Sequence, residues 1–211
     1  MAPFQPPSLM IDGKHAVRFG DGVVVLDVAG DSYSCIYDPT GEATANHFLD
    51  TRAIGPEPAP ALEGDQPSFG GWRELPQADA KLEWRDVLRF VFALAVATIR
   101  FHRHDFAGLL AVSKGRAPLL DTPLPEELAT IIARFERMAL FLPVPILCLF
   151  RSFFLLHFLA SYGYTADWLF GVSLFPFRAH CWLASGDLLL GETASRAMEF
   201  SPIHVVRARP S

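Results

Sequence analysis

The stretch FLPVPILCLFRSFFLLHFLASYG, Phe141 to Gly163, decides how this chain is read. Phe141–Ala160 has the length of a membrane span, which needs roughly 20 apolar residues. Two features argue against lipid. Pro143 and Pro145 break its start, because proline disrupts a helix interior and suits a first turn. The usable helix then begins near Pro145 and carries Arg151 near its middle, where a charge costs about 2.5–3.5 kcal/mol on insertion scales. His157 adds to the polar load. The stretch therefore predicts a helix packed on most sides by protein, with no integral membrane insertion. Leu88–Ile99, LRFVFALAVATI, is too short to span and reads as another core helix.

Working outward, the segments before this helix are helical and those after it are strand-like. Helices are expected at about 79–101, 104–114 and from Pro125 to before Pro143. In the last of these a first-turn proline is followed by Glu126 and Glu127 near the positive helix end. Strands are expected at 167–174, 178–184, 187–191 and 203–206, with ASGD turning a hairpin. The N-terminal part has a different character. HAVRFGDGVVVLDVAGDSYSCIYDPTGEA predicts an antiparallel meander with strands at 15–19, 22–28 and 32–37. A short helix at 42–49 follows, then a Pro/Gly-rich linker, Thr51–Trp72. The fold class is α+β: a small β-rich module with its linker at 1–75, and a domain at 76–211 with helices followed by antiparallel strands.

Composition fits this division. The 211 residues are 51% hydrophobic and 12% aromatic, enough for a sizeable core with an apolar patch left for a partner. The net charge of −5, with no basic stripe, excludes nucleic acid as the expected partner. Three cysteines, Cys35, Cys148 and Cys181, are too few for a disulfide framework and suit a reducing compartment. MAPFQPPSLM lacks the pattern of a signal peptide, so the expected location is the cytoplasm.

Three positions carry candidate chemistry. Cys148 falls in or near the first turn of the opening helix, where unpaired N–H groups and the positive helix end favour a thiolate and can bind an oxyanion. Taken alone, it reads more readily as a small buried hydrophobe, since free cysteine is among the most buried residue types. His180 lies on a strand, facing the same side as Trp182 and opposite to Cys181. It is either a hydrogen-bonded core histidine or a base. An acid follows at Asp187, which starts the next strand, or Glu192, which ends it. Cysteine, histidine and carboxylate form a nucleophile, base and orienter set. Because His180 and Cys181 point oppositely, no metal site is expected.

The ordered set Cys148-Leu149, Arg151-Ser152, Gly163, Gly171-Val172 and Pro176-Phe177 with Ala179-His180-Cys181-Trp182 resembles the transglutaminase-like (papain-like) cysteine protease domain of lasso peptide maturation B proteins. GDGVVVLDVAGDSYSCIYDPTGEATANHFL resembles the PqqD-like, winged-helix-like precursor-recognition module of that family. Thr51–Trp72 departs from its helical pattern.

The resemblance implies a cysteine endopeptidase that needs no cofactor. The N-terminal module would bind the leader of a ribosomally made precursor peptide by adding it as a strand beside Ser32, Tyr33, Cys35 and Tyr37. The C-terminal domain would cleave leader from core with Cys148 and His180. A partner ATP-dependent lasso cyclase, the C protein, would then close the macrolactam. The family carries an aspartate as third member, and here that spacing holds Glu192. Cross-strand geometry favours Glu192, with Asp187 as the alternative acid. The reading from another class is a non-catalytic leader-binding or scaffold protein on the same fold.

Overall fold

The computed structural model describes residues 9–11, 14–19, 22–37, 71–79, 81–114, 124–143, 146–174 and 176–208. The expected helix at 42–49, most of the expected linker and Pro145 lie outside them.

The N-terminal part is an antiparallel meander of β1 (Leu9–Ile11), β2 (Lys14–Phe19), β3 (Gly22–Asp27) and β4 (Ser32–Tyr37), in that spatial order. β1 is an addition to the three expected strands. β4 pairs with β3 alone and so forms an edge of this sheet among the described residues.

Four helices follow: α1 (Trp84–Arg103), α2 (Phe106–Ser113), α3 (Pro125–Ala139) and α4 (Cys148–Ala160). α1 starts later than its hydrophobic pattern predicts. The reason is local: the Asp86 carboxylate turns back to accept the Glu83 N–H at 2.9 Å, which fixes the first turn. Asp86 is 1% exposed and also takes the Tyr162 hydroxyl at 2.6 Å and Arg134 at 3.3 Å. One buried carboxylate thus ties α1, α3 and the turn after α4. Asp105 caps α2 by accepting the Gly108 N–H at 2.8 Å, so α2 also begins slightly late.

Ser152 to Leu159 of α4 are all buried. A helix apolar all round needs protein or lipid on every side, and here protein supplies it. α4 packs against α1, α3 and the C-terminal sheet. Phe154 meets Phe90 at 4.8 Å and Phe135 at 4.9 Å between ring centroids. Among the described residues no helix is long and apolar enough to cross a membrane.

The second sheet holds β5 (Asp167–Ser173), β6 (Arg178–Ser185), β7 (Leu188–Leu190) and β8 (Ser201–Val206) in the order β7-β6-β5-β8, all antiparallel. Gly186 and Asp187 make the tight turn between β6 and β7. Gly186 has φ +65°, the conformation such hairpin turns demand and only glycine adopts freely. A four-residue helix, α5 (Ala194–Ala197), was not expected from sequence; Thr193 caps it. Before α1, the extended segment 71–79 runs beside β7, with the Arg73 N–H donating to Asp187 O and the Leu189 N–H donating to Arg73 O.

The two sheets are joined. Val17, Val24 and Leu26 of the meander enter the same buried cluster as α4 and β5. His15 and His204 meet with ring centroids 4.0 Å apart where β2 packs on β8.

Candidate active site

Cys148 is the first residue of α4, after Leu147, whose extended backbone begins the helix. The first intrahelical bond into this turn is Arg151 N–H to Leu147 O at 2.8 Å. The N–H groups of Cys148, Leu149 and Phe150 therefore have no intrahelical acceptor, and the Leu147 side chain offers none. They face an end of positive potential, suited to a thiolate and an oxyanion.

Ser152, one turn on, ties this helix end to the sheet. Its hydroxyl donates to Cys148 O at 2.8 Å, accepts the Trp168 indole N–H at 2.8 Å, and lies 3.4 Å from Cys181 Sγ. Cys181 is buried on β6, facing α4.

His180 occupies the other face of β6. Its Nε2 lies 2.6 Å from Glu192 Oε2. The ring stacks on Trp182 at 5.9 Å and 22° and meets Phe200 at 5.1 Å. Gly171 pairs with His180 across the strands. A Cβ at Gly171 would stand 2.7 Å from Trp182 Cη2, so only glycine lets the indole lie beneath the imidazole. Glu192 also accepts the Thr193 N–H at 3.1 Å through Oε1.

The charges reinforce one another. The Cys148 thiol is brought down to about 4, by the Cys181 thiol that hydrogen-bonds to it and by the hydrogen bond and charge of His180, against the opposing effect of burial. Burial lowers the His180 pKa, but contacts with Cys148 and Glu192 more than offset it and leave a net rise. Burial raises Glu192, and the His180 and Thr193 hydrogen bonds more than reverse that. Cys181 moves the opposite way from Cys148: beside a thiolate, and buried, it holds its proton. These directions favour a thiolate–imidazolium pair with a carboxylate behind it.

Cys148, His180 and Glu192 line one cavity of about 640 Å³, walled on another side by Glu74–Ala78 of the extended segment. The other candidate acid, Asp187, is held by Arg73 in two bonds of 2.7 and 3.0 Å. Among the described residues no group of three His, Cys, Asp or Glu side chains is placed to hold a metal ion.

Of the expected leader contacts, Ser32 and Cys35 are exposed on β4, and Tyr37 ends that strand. Tyr33 is half-buried and meets Phe177, three residues before His180, at 5.6 Å. Its hydroxyl is pushed up to about 12 by burial first and then by the acidic groups of Cys181, Asp31 and Cys148. The meander's edge strand therefore passes close to the thiol site.

Sequence reasoning missed two residues. Strand alternation placed Cys181 opposite His180, as observed, but could not say that its face is the one packed on α4. Arg151 was read as a charge unsuited to lipid and as part of the resembling motif, with no contact assigned to it. It pairs with Glu136 of α3 and donates to Gly191 O at 3.0 Å.

A family model described as the transglutaminase-like superfamily matches residues 88–205. No curated protein and no solved structure gives a match to the chain.

Proposed function

This chain belongs to the transglutaminase-like superfamily, and from that premise we propose that it is a cysteine endopeptidase, the leader peptidase of a lasso peptide pathway. The observation that carries the reading is Cys148 at the open N-terminus of α4 with the His180–Glu192 pair beside it.

In this reading residues 1–75 capture the precursor's leader and residues 76–211 cleave it. An extended leader adds to the edge of β4, unpaired among the described residues, beside Ser32, Tyr33, Cys35 and Tyr37. The contact of Tyr33 with Phe177 supports a path from that edge towards the cavity. The Cys148 thiolate attacks the scissile carbonyl carbon, and the N–H groups of the first turn of α4 receive the oxyanion. As the tetrahedral adduct collapses, the His180 imidazolium gives its proton to the departing core amine, leaving the leader as a thioester on Cys148. Neutral His180 then takes a proton from water as the oxygen attacks the thioester. The thiolate leaves, and leader carboxylate is released. Glu192 holds the imidazole orientation throughout and stabilises its charged form. No step calls for a metal or an organic cofactor.

The freed amine is the substrate that an ATP-dependent lasso cyclase requires, which makes that enzyme the proposed partner in the cytoplasm. Trp84, Leu88, Phe92 and Ile99 are exposed along α1 and supply an apolar face for it.

The test is mass spectrometry of the full-length protein incubated with a precursor peptide encoded beside its gene. Cleavage at one leader–core bond is expected, abolished in Cys148→Ala, with leader binding retained in that variant by fluorescence polarisation. Undiminished cleavage by Cys148→Ala would overturn the mechanism. Binding without cleavage by the unaltered protein would favour a scaffold role.

A further inference from the structure

We propose that Arg151 is a positioning residue: its guanidinium holds the Gly191 carbonyl and so fixes Glu192 against His180. The inference rests on the Cys148–His180–Glu192 reading above and names the part that keeps its acid in place.

Arg151 lies three residues after Cys148, about 4.5 Å further along the same helix. Its guanidinium makes two contacts. One terminal nitrogen, Nη2, pairs with Glu136 Oε1 of α3. The other, Nη1, donates to Gly191 O at 3.0 Å. Gly191 directly precedes Glu192. The planar guanidinium presents donors in a fixed fork, so gripping Glu136 aims the second nitrogen at the carbonyl. The fit is close: a Cβ at Gly191 would approach Glu136 Oε1 to 3.0 Å.

Glu192 needs such a hold. β7 is three residues long, and its last ladder pair is Leu190 with Leu183. Beyond it, among the described residues, no strand pairing constrains the chain before β8. Two contacts bracket the acid instead. Arg151 takes the carbonyl on its N-terminal side, and Glu74 Oε1 accepts the Ala194 N–H at 2.7 Å on the other. Only the first of these starts from the helix that carries the nucleophile, so Arg151 sets the distance between nucleophile and acid directly. A stabilising role alone explains little. The side chains of Arg151 and Glu136 are 32% and 41% exposed, and ion pairs this open contribute modestly to stability.

The experiment uses the full-length protein. It measures kcat and KM on the precursor peptide and the pH dependence of Cys148 alkylation by iodoacetamide, which needs no turnover. Arg151→Gln should lower kcat about 10- to 100-fold, the scale on which small misplacements act, with KM changed less than about twofold. The midpoint of thiolate formation should move up, because a displaced Glu192 supports imidazolium less well. Arg151→Lys, a single donor point, should fall between. Glu136→Gln keeps the guanidinium and an accepting oxygen and should lose less than about threefold; Arg151→Lys, with the same two readouts, decides the matter should Arg151→Gln fail to fold. In a Glu192→Gln background, Arg151→Gln should cost almost nothing further, since the two residues act through one contact. An unchanged kcat and alkylation midpoint in Arg151→Gln, or an equal fold-loss in the Glu192→Gln background, would overturn the inference. An unaltered protein whose Cys148 titrates as an ordinary thiol would instead overturn the active-site reading beneath it.

Discussion

His180 Nε2 and Glu192 Oε2 stand 2.6 Å apart across twelve residues of chain, at 7% and 11% side-chain exposure. The hairpin creates this contact. His180 lies early in β6, so the chain must fold back along β7 and run past its end before a carboxylate reaches the ring. Asp187, five residues nearer in sequence, lies in the turn and is occupied by Arg73.

Glu192→Gln should therefore slow peptide cleavage by orders of magnitude, about 10⁴-fold where loss of the orienting carboxylate leaves the imidazole in the wrong tautomer. Asp187→Asn removes an exposed ion pair and should stay within about threefold of the unaltered rate. Steady-state kinetics on both, with circular dichroism to check folding, decide it. A dead Asp187→Asn beside an active Glu192→Gln would reverse the assignment.

The Cys148 thiol, brought down to about 4, sets the acid limb of reactivity. Alkylation should stay fast from about pH 5 upward, where an ordinary thiol reacts slowly. Cys181→Ala removes the thiol that hydrogen-bonds to the thiolate and should move that limb to higher pH, and Cys181→Ser should restore part of the shift. Iodoacetamide rates across pH, followed at Cys148 by mass spectrometry, give the measurement. An unshifted limb in Cys181→Ala would show that His180 alone holds the thiolate.

Gly171→Ala places a methyl group 2.7 Å from the Trp182 ring and 3.0 Å from Phe200 Cβ. The indole must shift, and with it the imidazole stacked upon it. A loss of about 1–3 kcal/mol in stability is expected from overpacking, with a larger proportional loss in kcat. Chemical denaturation and kinetics on the same sample separate the two effects.

His204, buried against His15 between the sheets, has its pKa lowered from 6.5 to about 3 by burial, then by the positive charge of His15 and Lys114. Among the described residues its Nε2 has no hydrogen-bond partner. The unfolded chain therefore takes up this proton more readily than the folded one. The contribution to stability is complete above about pH 6.5 and is lost as pH falls towards 3, with a slope of up to about 1.4 kcal/mol per pH unit. His204→Phe should flatten that decline. Thermal melts at pH 7.5, 6 and 5 test it, and parallel declines in both proteins would exclude His204 as the cause.

Sequence alone settled what depends on local period and local chemistry. The prolines and Arg151 made α4 a buried helix, and Gly186-Asp187 marked the hairpin. Alternation along β6 set His180 and Cys181 on opposite faces. Hairpin geometry favoured Glu192 over Asp187 as the carboxylate beside His180, and the two lie in contact at 2.6 Å. Tertiary structure decided the rest, because it rests on contacts between distant segments. Arg73 and Asp187 are 114 residues apart, and Asp86 and Tyr162 are 76 apart. Which face of β6 meets α4, where the Arg151 fork points and how His15 comes to lie on His204 are set by packing whole elements together. A 3.6-residue or two-residue repeat states which side of an element is apolar, but not which partner will cover it.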